Sequence, residues 1–117
     1  MTGLGPEAFP VGIPRPGEVI VGRYVVESLL GVGGMGAVLG AVRTSDGRKV
    51  AVKVLLPQAQ SNPEAIRRFV QEGRTCQRIK SSHIAAVYEV GEAEAGQPFL
   101  AMEFLQGLDL GAVVQSR

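Results

Sequence analysis

Residues 31–56 read GVGGMGAVLGAVRTSDGRKVAVKVLL, and this stretch decides the fold. It begins with a glycine-rich turn and continues through two apolar runs, 36–43 and 48–56, with Asp46-Gly47 between them. Asp-Gly is a strong hairpin signal because both residues tolerate a positive φ. The stretch therefore predicts two neighbouring antiparallel strands that follow a glycine-rich loop.

Further strands and one helix are predicted on either side of this hairpin. Apolar, β-branched runs predict strands at 19–31, 84–90 and 98–104, and the last two are joined by GEAEAG, which suits a second hairpin. Ser61-Asn62-Pro63-Glu64 offers side-chain oxygens for an N-cap, a proline where no N–H is needed, and an acid in the first turn. A helix is therefore predicted over 63–80, which gives the order three strands, one helix, two strands.

Composition limits the classes of protein to which the chain can belong. Its 117 residues suit one folded domain, with 45% apolar and 20% charged residues. A net charge of +1 provides no overall field for nucleic acid or an anionic membrane. Cys76 is the only cysteine, and no apolar run reaches the length of a membrane span, so a cytoplasmic location without a membrane segment is predicted. Residues 1–17 hold four prolines and four glycines and are predicted to form a disordered leader.

The glycine-rich loop Gly31-Val32-Gly33-Gly34-Met35-Gly36 has the G-x-G-x-x-G pattern. Without side chains, its backbone N–H groups can approach phosphate oxygens closely. A hairpin turn without a ligand is an equally fair interpretation of the loop alone. A dinucleotide site would require these glycines to open a helix, with an acid about 20 residues further on. Gly36 is followed instead by AVLGAVR and a turn, which is strand context.

Lys53 is the only charged residue in the run VAVKVLL. Strand alternation would place Lys53 on one face with Ala51 and Leu55, and the neighbouring valines on the other. One interpretation is an edge-strand lysine that protects against aggregation and needs no partner. The other is that Lys53 pairs with an acid in the interior.

Glu72 is the candidate partner, because it lies on the apolar stripe of the predicted helix. The other members of that stripe are Ala65, Phe69, Cys76 and Ile79. A buried lysine and a buried glutamate would each be costly alone, but they satisfy one another if helix and strand pack together. A solvated Glu72 at the edge of the stripe is the alternative. Gly73 follows directly and predicts a looser helix, because glycine costs roughly 1 kcal/mol relative to alanine inside a helix.

The loop, then VAVK, then a helical glutamate resemble in order and spacing the signature of protein kinases. The GGMG tip and HIAAVYEVGEAEAGQPFLAMEFLQG resemble bacterial serine/threonine kinases of the eukaryotic-like, Hanks type. The resemblance covers residues 22–117 and implies an α+β fold, the amino-terminal lobe alone, with a twisted five-stranded antiparallel sheet and one packed helix. That lobe would span 18–107, and 108–117 would be the hinge exit and the start of a truncated helix.

The resemblance also implies roles for individual residues in binding ATP. Gly33 to Gly36 would fold over the phosphates, and Lys53 would contact the α- and β-phosphates while Glu72 holds it in place. The predicted catalytic residues are Lys53 and Glu72. The predicted nucleotide-binding residues are Leu30, Gly31, Val32, Gly33, Gly34, Met35, Gly36, Val38, Ala51, Lys53, Met102 as gatekeeper, Glu103, Leu105 and Asp109. For Asp109, an acidic N-cap of the last helix is an equally fair interpretation.

The catalytic parts of a kinase are missing from these 117 residues. The patterns H-R-D-x-x-x-x-N and D-F-G supply the base and the magnesium ligands of a complete kinase. His83 precedes Ile84, and the two aspartates, Asp46 and Asp109, precede glycine and leucine. The chain is therefore predicted to bind ATP, to lack Mg²⁺ ligands and to transfer no phosphate alone.

Protein substrates are expected only of a complete kinase. A non-catalytic nucleotide-binding or dimerisation module, or the relic of a disrupted kinase gene, is the alternative. Self-association is expected through the underside of the lobe, which the resemblance places at Phe104, Leu105 and Leu108.

Overall fold

Six strands and two helices make up the part of the chain that this computed structural model describes, residues 9–33, 35–78, 86–93 and 96–104. In chain order they are β1 (Val19–Ile20), β2 (Tyr24–Gly33), β3 (Gly36–Arg43), β4 (Lys49–Leu55), α1 (Pro57–Gln60), α2 (Pro63–Arg78), β5 (Val87–Glu92) and β6 (Pro98–Glu103). The strands form one sheet in the order β1-β2-β3-β4-β6-β5, and every pairing is antiparallel. The predicted α+β class is confirmed.

The sheet has six strands where five were predicted, because the first predicted strand is divided. Val21 and Gly22 both have positive φ values, 47° and 70°, and the N–H of Arg23 donates to the carbonyl of Ile20 at 3.0 Å. The chain therefore turns tightly and pairs β1 with β2. The one-turn helix α1, which begins at Pro57, was not predicted either.

The hairpin predicted at Asp46-Gly47 is confirmed between β3 and β4. Gly47 has a φ of 71°, and its N–H donates to the Arg43 carbonyl at 2.7 Å. The Asp46 carboxylate accepts hydrogen bonds from the Arg43 guanidinium and from the N–H of Arg48. The Arg43 hydrogen bond is the main cause that lowers the pKa of Asp46 to about 2.

Helix α2 begins where its capping signal predicted. Asn62 Oδ1 accepts hydrogen bonds from the N–H groups of Glu64 at 3.0 Å and Ala65 at 3.3 Å, which satisfies two donors that an uncapped helix would leave open. The helix is described to Arg78; the predicted end at residue 80 lies outside the described residues.

The sheet separates two apolar cores. The inner core is filled by alternate residues of the strands, among them Val50, Val52 and Val54, together with Tyr24 and Phe99. The helix-side core lies between the opposite face of the sheet and the helices. Its buried members are Val38, Ala51, Leu55, Ala59, Phe69, Leu100 and Met102.

The inner core is enclosed because the sheet curls. Tyr24 on β2 and Glu89 on β5 are separated by three strands in the sheet order, yet the Tyr24 hydroxyl donates to Glu89 Oε1 at 2.6 Å. The Arg23 guanidinium bonds the same carboxylate. Burial, followed by the hydrogen bond to Glu89, raises the pKa of the Tyr24 hydroxyl. These contacts fasten one end of the curled sheet.

The leader differs from its prediction where it is described. Phe9 and Ile13 are only 5% and 6% exposed, and both belong to the inner core. Gly12 has a φ of 93°, and a Cβ there would lie 2.5 Å from Pro57 Cγ, so the leader packs closely on α1. The prediction of disorder followed from the proline and glycine content and from the near absence of apolar periodicity, but prolines also fix φ and so lower the entropy cost of ordering. Residues 1–8 lie outside the described part.

Candidate nucleotide site

Lys53 lies in an interior strand with its flanking residues on the predicted faces. Ala51 and Leu55 belong to the helix-side core, and the valines between them belong to the inner core. Strand β4 pairs with β3 on one side and β6 on the other. The alternative of an edge-strand lysine is therefore wrong, and Lys53 is a partly buried cation on the helix-side face.

The Lys53 side chain lies between the end of the glycine-rich loop and helix α2. A Cβ added at Gly36 would be 3.3 Å from Lys53 Cε and 3.0 Å from the Val54 carbonyl oxygen. The Lys53 ammonium lies 5.6 Å from the centroid of the Phe69 ring, within the range of a cation–π contact. This contact was not predicted, although Phe69 lies three residues before Glu72 and therefore on the same helix face.

Helix α2 crosses the sheet at the level of Lys53. In the strand register, Lys53 is opposite Leu100, and a Cβ added at Gly73 would lie 2.3 Å from Leu100 Cδ2. Gly73 is buried, and Glu72 beside it is partly buried. Gly73 thus has a packing role that we did not predict, since it lets the helix approach β6 closely. The ion pair between Lys53 and Glu72 stays a prediction.

The glycine-rich loop is the tip of the β2–β3 hairpin, in which Gly33 is opposite Gly36. Strand β3 follows directly, which agrees with the strand context that disfavoured a dinucleotide site. Val32 and Met35 are about half exposed, at 50% and 51%. The N–H of Leu56 donates to the Met35 carbonyl at 2.7 Å, which ties the tip to the end of β4. Gly34 lies outside the described residues.

The residues predicted to surround adenine share the helix-side core. Val38 is fully buried, and Ala51 and Met102, opposite one another in the strand register, are 3% and 6% exposed. Leu30 is partly buried against the same core. It occupies a β-bulge, since Leu29 pairs with Leu39 and Gly31 with Val38. A β-bulge changes the direction in which nearby side chains point, and no pattern in the sequence predicted this bulge.

The predicted hinge is described only at its start. The N–H of Glu103 donates to the Ala86 carbonyl at 2.8 Å. Leu105, Leu108 and Asp109 lie outside the described residues, as does the segment 108–117. Within the described part, no three His, Cys, Asp or Glu residues are grouped so that they could hold a metal ion. No helix there is long and apolar enough to cross a membrane.

Comparison with known proteins decides the family. Residues 24–117 match the protein kinase domain family. The chain belongs to the protein kinase family. This kinase chain is 41% identical over 106 residues to the serine/threonine-protein kinase PknA of Mycobacterium tuberculosis. The matched residues cover 87% of the chain and 25% of PknA. It is 36% identical over 98 residues to the serine/threonine-protein kinase pkn3 of Myxococcus xanthus, covering 84% of the chain and 18% of pkn3.

Solved structures agree with this assignment. The kinase domain of Mycobacterium tuberculosis PknI superposes with a TM-score of 0.67 at 31% identity, covering 83% of this kinase chain and 38% of the PknI chain. The apo form of PpkA-294 superposes with a TM-score of 0.70 at 21% identity, which supports the fold alone. The chain thus spans a quarter or less of these sequence relatives, and the resemblance to the amino-terminal part of bacterial serine/threonine kinases is confirmed.

Proposed function

We propose that this chain is the ATP-binding part of a serine/threonine protein kinase whose complete form phosphorylates protein hydroxyl groups. The observation that carries the proposal is the placement of Lys53, with its stem beside Gly36 and its ammonium beside helix α2. A cation held next to a side-chain-free loop suits a polyphosphate, because backbone N–H groups and an ammonium then converge on the same anion.

In this proposal the two ends of ATP are bound differently. The phosphates lie under the loop from Gly33 to Gly36 and contact Lys53. The adenine ring packs among apolar side chains of the helix-side core, and its amino group donates to the Glu103 carbonyl. The apolar side chains are Leu30, Val38, Ala51 and Met102.

Glu72 is proposed as the residue that positions Lys53. It lies one turn beyond Phe69, whose ring is next to the Lys53 ammonium, and beside Gly73, which packs on the strand residue opposite Lys53. A carboxylate in this position would offset the desolvation cost of the partly buried Lys53 ammonium and would limit the rotamers of the Lys53 side chain. Removing the carboxylate would leave the cation present but poorly placed.

The chain does not supply the groups that transfer phosphate. Asp46, one of its two aspartates, bonds Arg43 and Arg48 in a hairpin turn, which does not suit a magnesium ligand. Phosphoryl transfer depends on positioning and on charge neutralisation by metal-bound carboxylates and a catalytic base. We therefore expect the 117-residue chain to bind nucleotide without consuming it.

Calorimetric titration with ATP and with NAD tests nucleotide binding. We expect ATP to bind in preference to NAD, and Lys53→Met to weaken ATP binding about 10- to 100-fold, because a charge-assisted hydrogen bond contributes about 1.5–3 kcal/mol. Lys49→Met is the matched control, since Lys49 is an exposed lysine of the same strand, and its ATP affinity should stay within about twofold. Equal losses in both variants, or a preference for NAD, would contradict the proposal.

A second measurement follows transfer of the γ-phosphate to a generic protein acceptor and to the chain itself. We expect no transfer above the rate without protein. Steady ATP-dependent phosphorylation by the purified chain would show that the missing motifs are not required.

A further inference from the structure

The contact between Lys53 and Phe69 joins the proposed nucleotide site to helix α2. The Lys53 ammonium lies over the Phe69 ring, 5.6 Å from its centroid, and the ring is only 6% exposed within the helix-side core. The face of an aromatic ring carries partial negative charge and attracts a cation within about 6 Å of the centroid, more strongly as the pair is removed from water. Lys53 is itself partly buried, so both members of this pair are shielded from solvent.

Two other cation–π contacts lack this burial of the cation. Arg15 over Phe9 and Lys49 over Phe104 each place an exposed cation beside a ring, at 5.7 Å and 5.9 Å from the centroids. An exposed cation keeps most of its hydration and can leave the ring at little cost. The contact with Phe69 therefore restricts Lys53 more than these surface contacts restrict Arg15 and Lys49.

The position of the Phe69 ring is fixed by the packing of α2 on the sheet. Phe69 lies one turn before Gly73, where an added Cβ would be 2.3 Å from Leu100 Cδ2. Leu100 is opposite Lys53 in the strand register. The close approach of the helix to β6 thus brings the ring to the level of the lysine. On the side of the loop, a Cβ added at Gly36 would be 3.3 Å from Lys53 Cε, so the stem of Lys53 lies close to the glycine-rich hairpin.

An aromatic ring holds a lysine differently from a carboxylate. A carboxylate neutralises the ammonium and competes with phosphate oxygens for its N–H groups, whereas the face of a ring leaves the positive charge uncompensated. A ring beside Lys53 therefore limits the rotamers of a long, flexible side chain and keeps its charge for an anion. This role is compatible with that proposed for Glu72, since Phe69 and Glu72 share one helix face.

We propose that Phe69 is a positioning residue for Lys53, and that its ring holds the ammonium where the phosphates of the nucleotide bind beneath the loop. The inference rests on the proposed nucleotide site and adds a residue to it. Without the ring, Lys53 would occupy more rotamers, and the apparent affinity for ATP would fall in proportion to the fraction of lysines that remain in place. Phe69 acts through Lys53 and does not itself contact the nucleotide.

The test replaces Phe69 in the full 117-residue chain by 4-fluoro-, 3,4,5-trifluoro- and pentafluorophenylalanine. Fluorine withdraws charge from the ring face in steps and weakens the attraction for a cation, while the ring keeps nearly the same shape. We expect the Kd for ATP, measured by calorimetry, to rise along the series and to reach about 3- to 10-fold for the pentafluoro ring. Phe69→Leu, which is apolar and has no π face, should show a loss of similar size.

The same fluorine series at Phe99 is the matched control. Phe99 belongs to the inner core, so its fluorination should leave the Kd for ATP within about twofold. A Kd that stays constant along the series at Phe69 would mean that the ring serves packing alone. A Kd that falls would mean that the ring competes with phosphate for the ammonium, and either result would overturn the proposal.

A double-mutant cycle tests the contact without nucleotide. Pentafluorophenylalanine at position 69 should lower the urea midpoint of unfolding more in the chain with Lys53 than in Lys53→Met, where no cation faces the ring. Equal shifts in both backgrounds would contradict the contact and the role built on it. An unmodified chain that binds no ATP would contradict the proposed function and this role together, whereas a constant Kd in a chain that does bind ATP contradicts this role alone.

Discussion

The two cores on either side of the sheet differ in what their residues are used for. The inner core is filled by apolar side chains and a Tyr24–Phe99 aromatic pair, with centroids 5.8 Å apart, and it contains none of the residues proposed to bind nucleotide. The helix-side core contains the buried members of the proposed adenine site and borders Lys53. A single sheet can thus keep one face for stability and use the other for binding, because alternate residues of each strand face opposite sides.

Substitutions in the inner core should lower the free energy of unfolding and leave the nucleotide affinity of the folded fraction unchanged. Substitutions that move α2 should lower both.

Phe99→Ala should have the largest effect on stability. Phe99 is 1% exposed in the centre of the inner core, and a phenylalanine replaced by alanine in a core costs about 3–5 kcal/mol through lost transfer energy and the cavity left behind. The measurement is urea unfolding followed by circular dichroism. A loss below about 1 kcal/mol would show that Phe99 does not hold the inner core together.

Ile13→Ala tests whether the leader is part of the inner core. Ile13 is 6% exposed, so we expect a loss of about 2 kcal/mol, the low end for such a substitution, because the residue lies at the margin of the core. Val11→Ala is the control from the same leader, since Val11 is 87% exposed, and it should change stability by less than about 0.5 kcal/mol. ATP affinity should be unchanged in both variants. Equal melting temperatures for both would mean that the leader does not contribute to the core.

Gly73→Ala should disturb the helix-side core moderately. Overpacking against Leu100 costs about 1–3 kcal/mol, and about 1 kcal/mol is regained from helix propensity, so a net loss of about 1 kcal/mol is expected. ATP affinity should fall as well, because α2 must move away from the strand opposite Lys53.

Two further variants separate packing from propensity at this position. Thr75→Ala, at an exposed position of the same helix, should stabilise slightly. Adding Leu100→Val to Gly73→Ala should cost less than the sum of the two single changes, since the shorter side chain makes room for the new methyl group. Strict additivity would contradict the close approach of Gly73 and Leu100.

Asp46→Asn should have the smallest effect, since it lies outside both cores. The pKa of Asp46 is about 2 in the folded chain against an ordinary 3.8, so its ionised form is stabilised by folding. That contribution is present above about pH 4 and is lost as the pH falls towards 2. The stability difference between wild type and Asp46→Asn should therefore shrink over this interval in urea titrations. A difference that stays constant from pH 6 to 2 would contradict the ion pair with Arg43.

Local signals allowed much of the fold to be predicted. The Asp46-Gly47 turn, the Asn62 cap and the alternation around Lys53 each depend on a few neighbouring residues, and the structure has all three. The turn at Val21-Gly22 was missed because a positive φ at valine is set by tertiary contacts rather than by its own preference.

The other features that were not predicted from the sequence also depend on long-range contacts. Phe9 is 90 residues in sequence from Phe99, and nothing local shows that both reach one core. The position of the loop between β2 and β3, the face on which Lys53 lies and the helix-side position of Val38 and Ala51 agree with pattern and resemblance, and the roles of these residues in binding nucleotide stay predictions. The close approach of Gly73 to Leu100 was not, because it depends on the height at which the helix crosses the sheet.

The hydrogen bond from the Leu56 N–H to the Met35 carbonyl gives the glycine-rich hairpin a built-in reporter. Whenever the tip lifts away from the end of β4, that one amide proton becomes available for exchange with solvent. The exchange rate of the Leu56 amide, compared with the rates of the amides that pair β3 with β4, measures how often the tip of the hairpin opens, without any label or ligand. If bound nucleotide keeps the tip closed, the Leu56 amide should exchange more slowly as ATP is added.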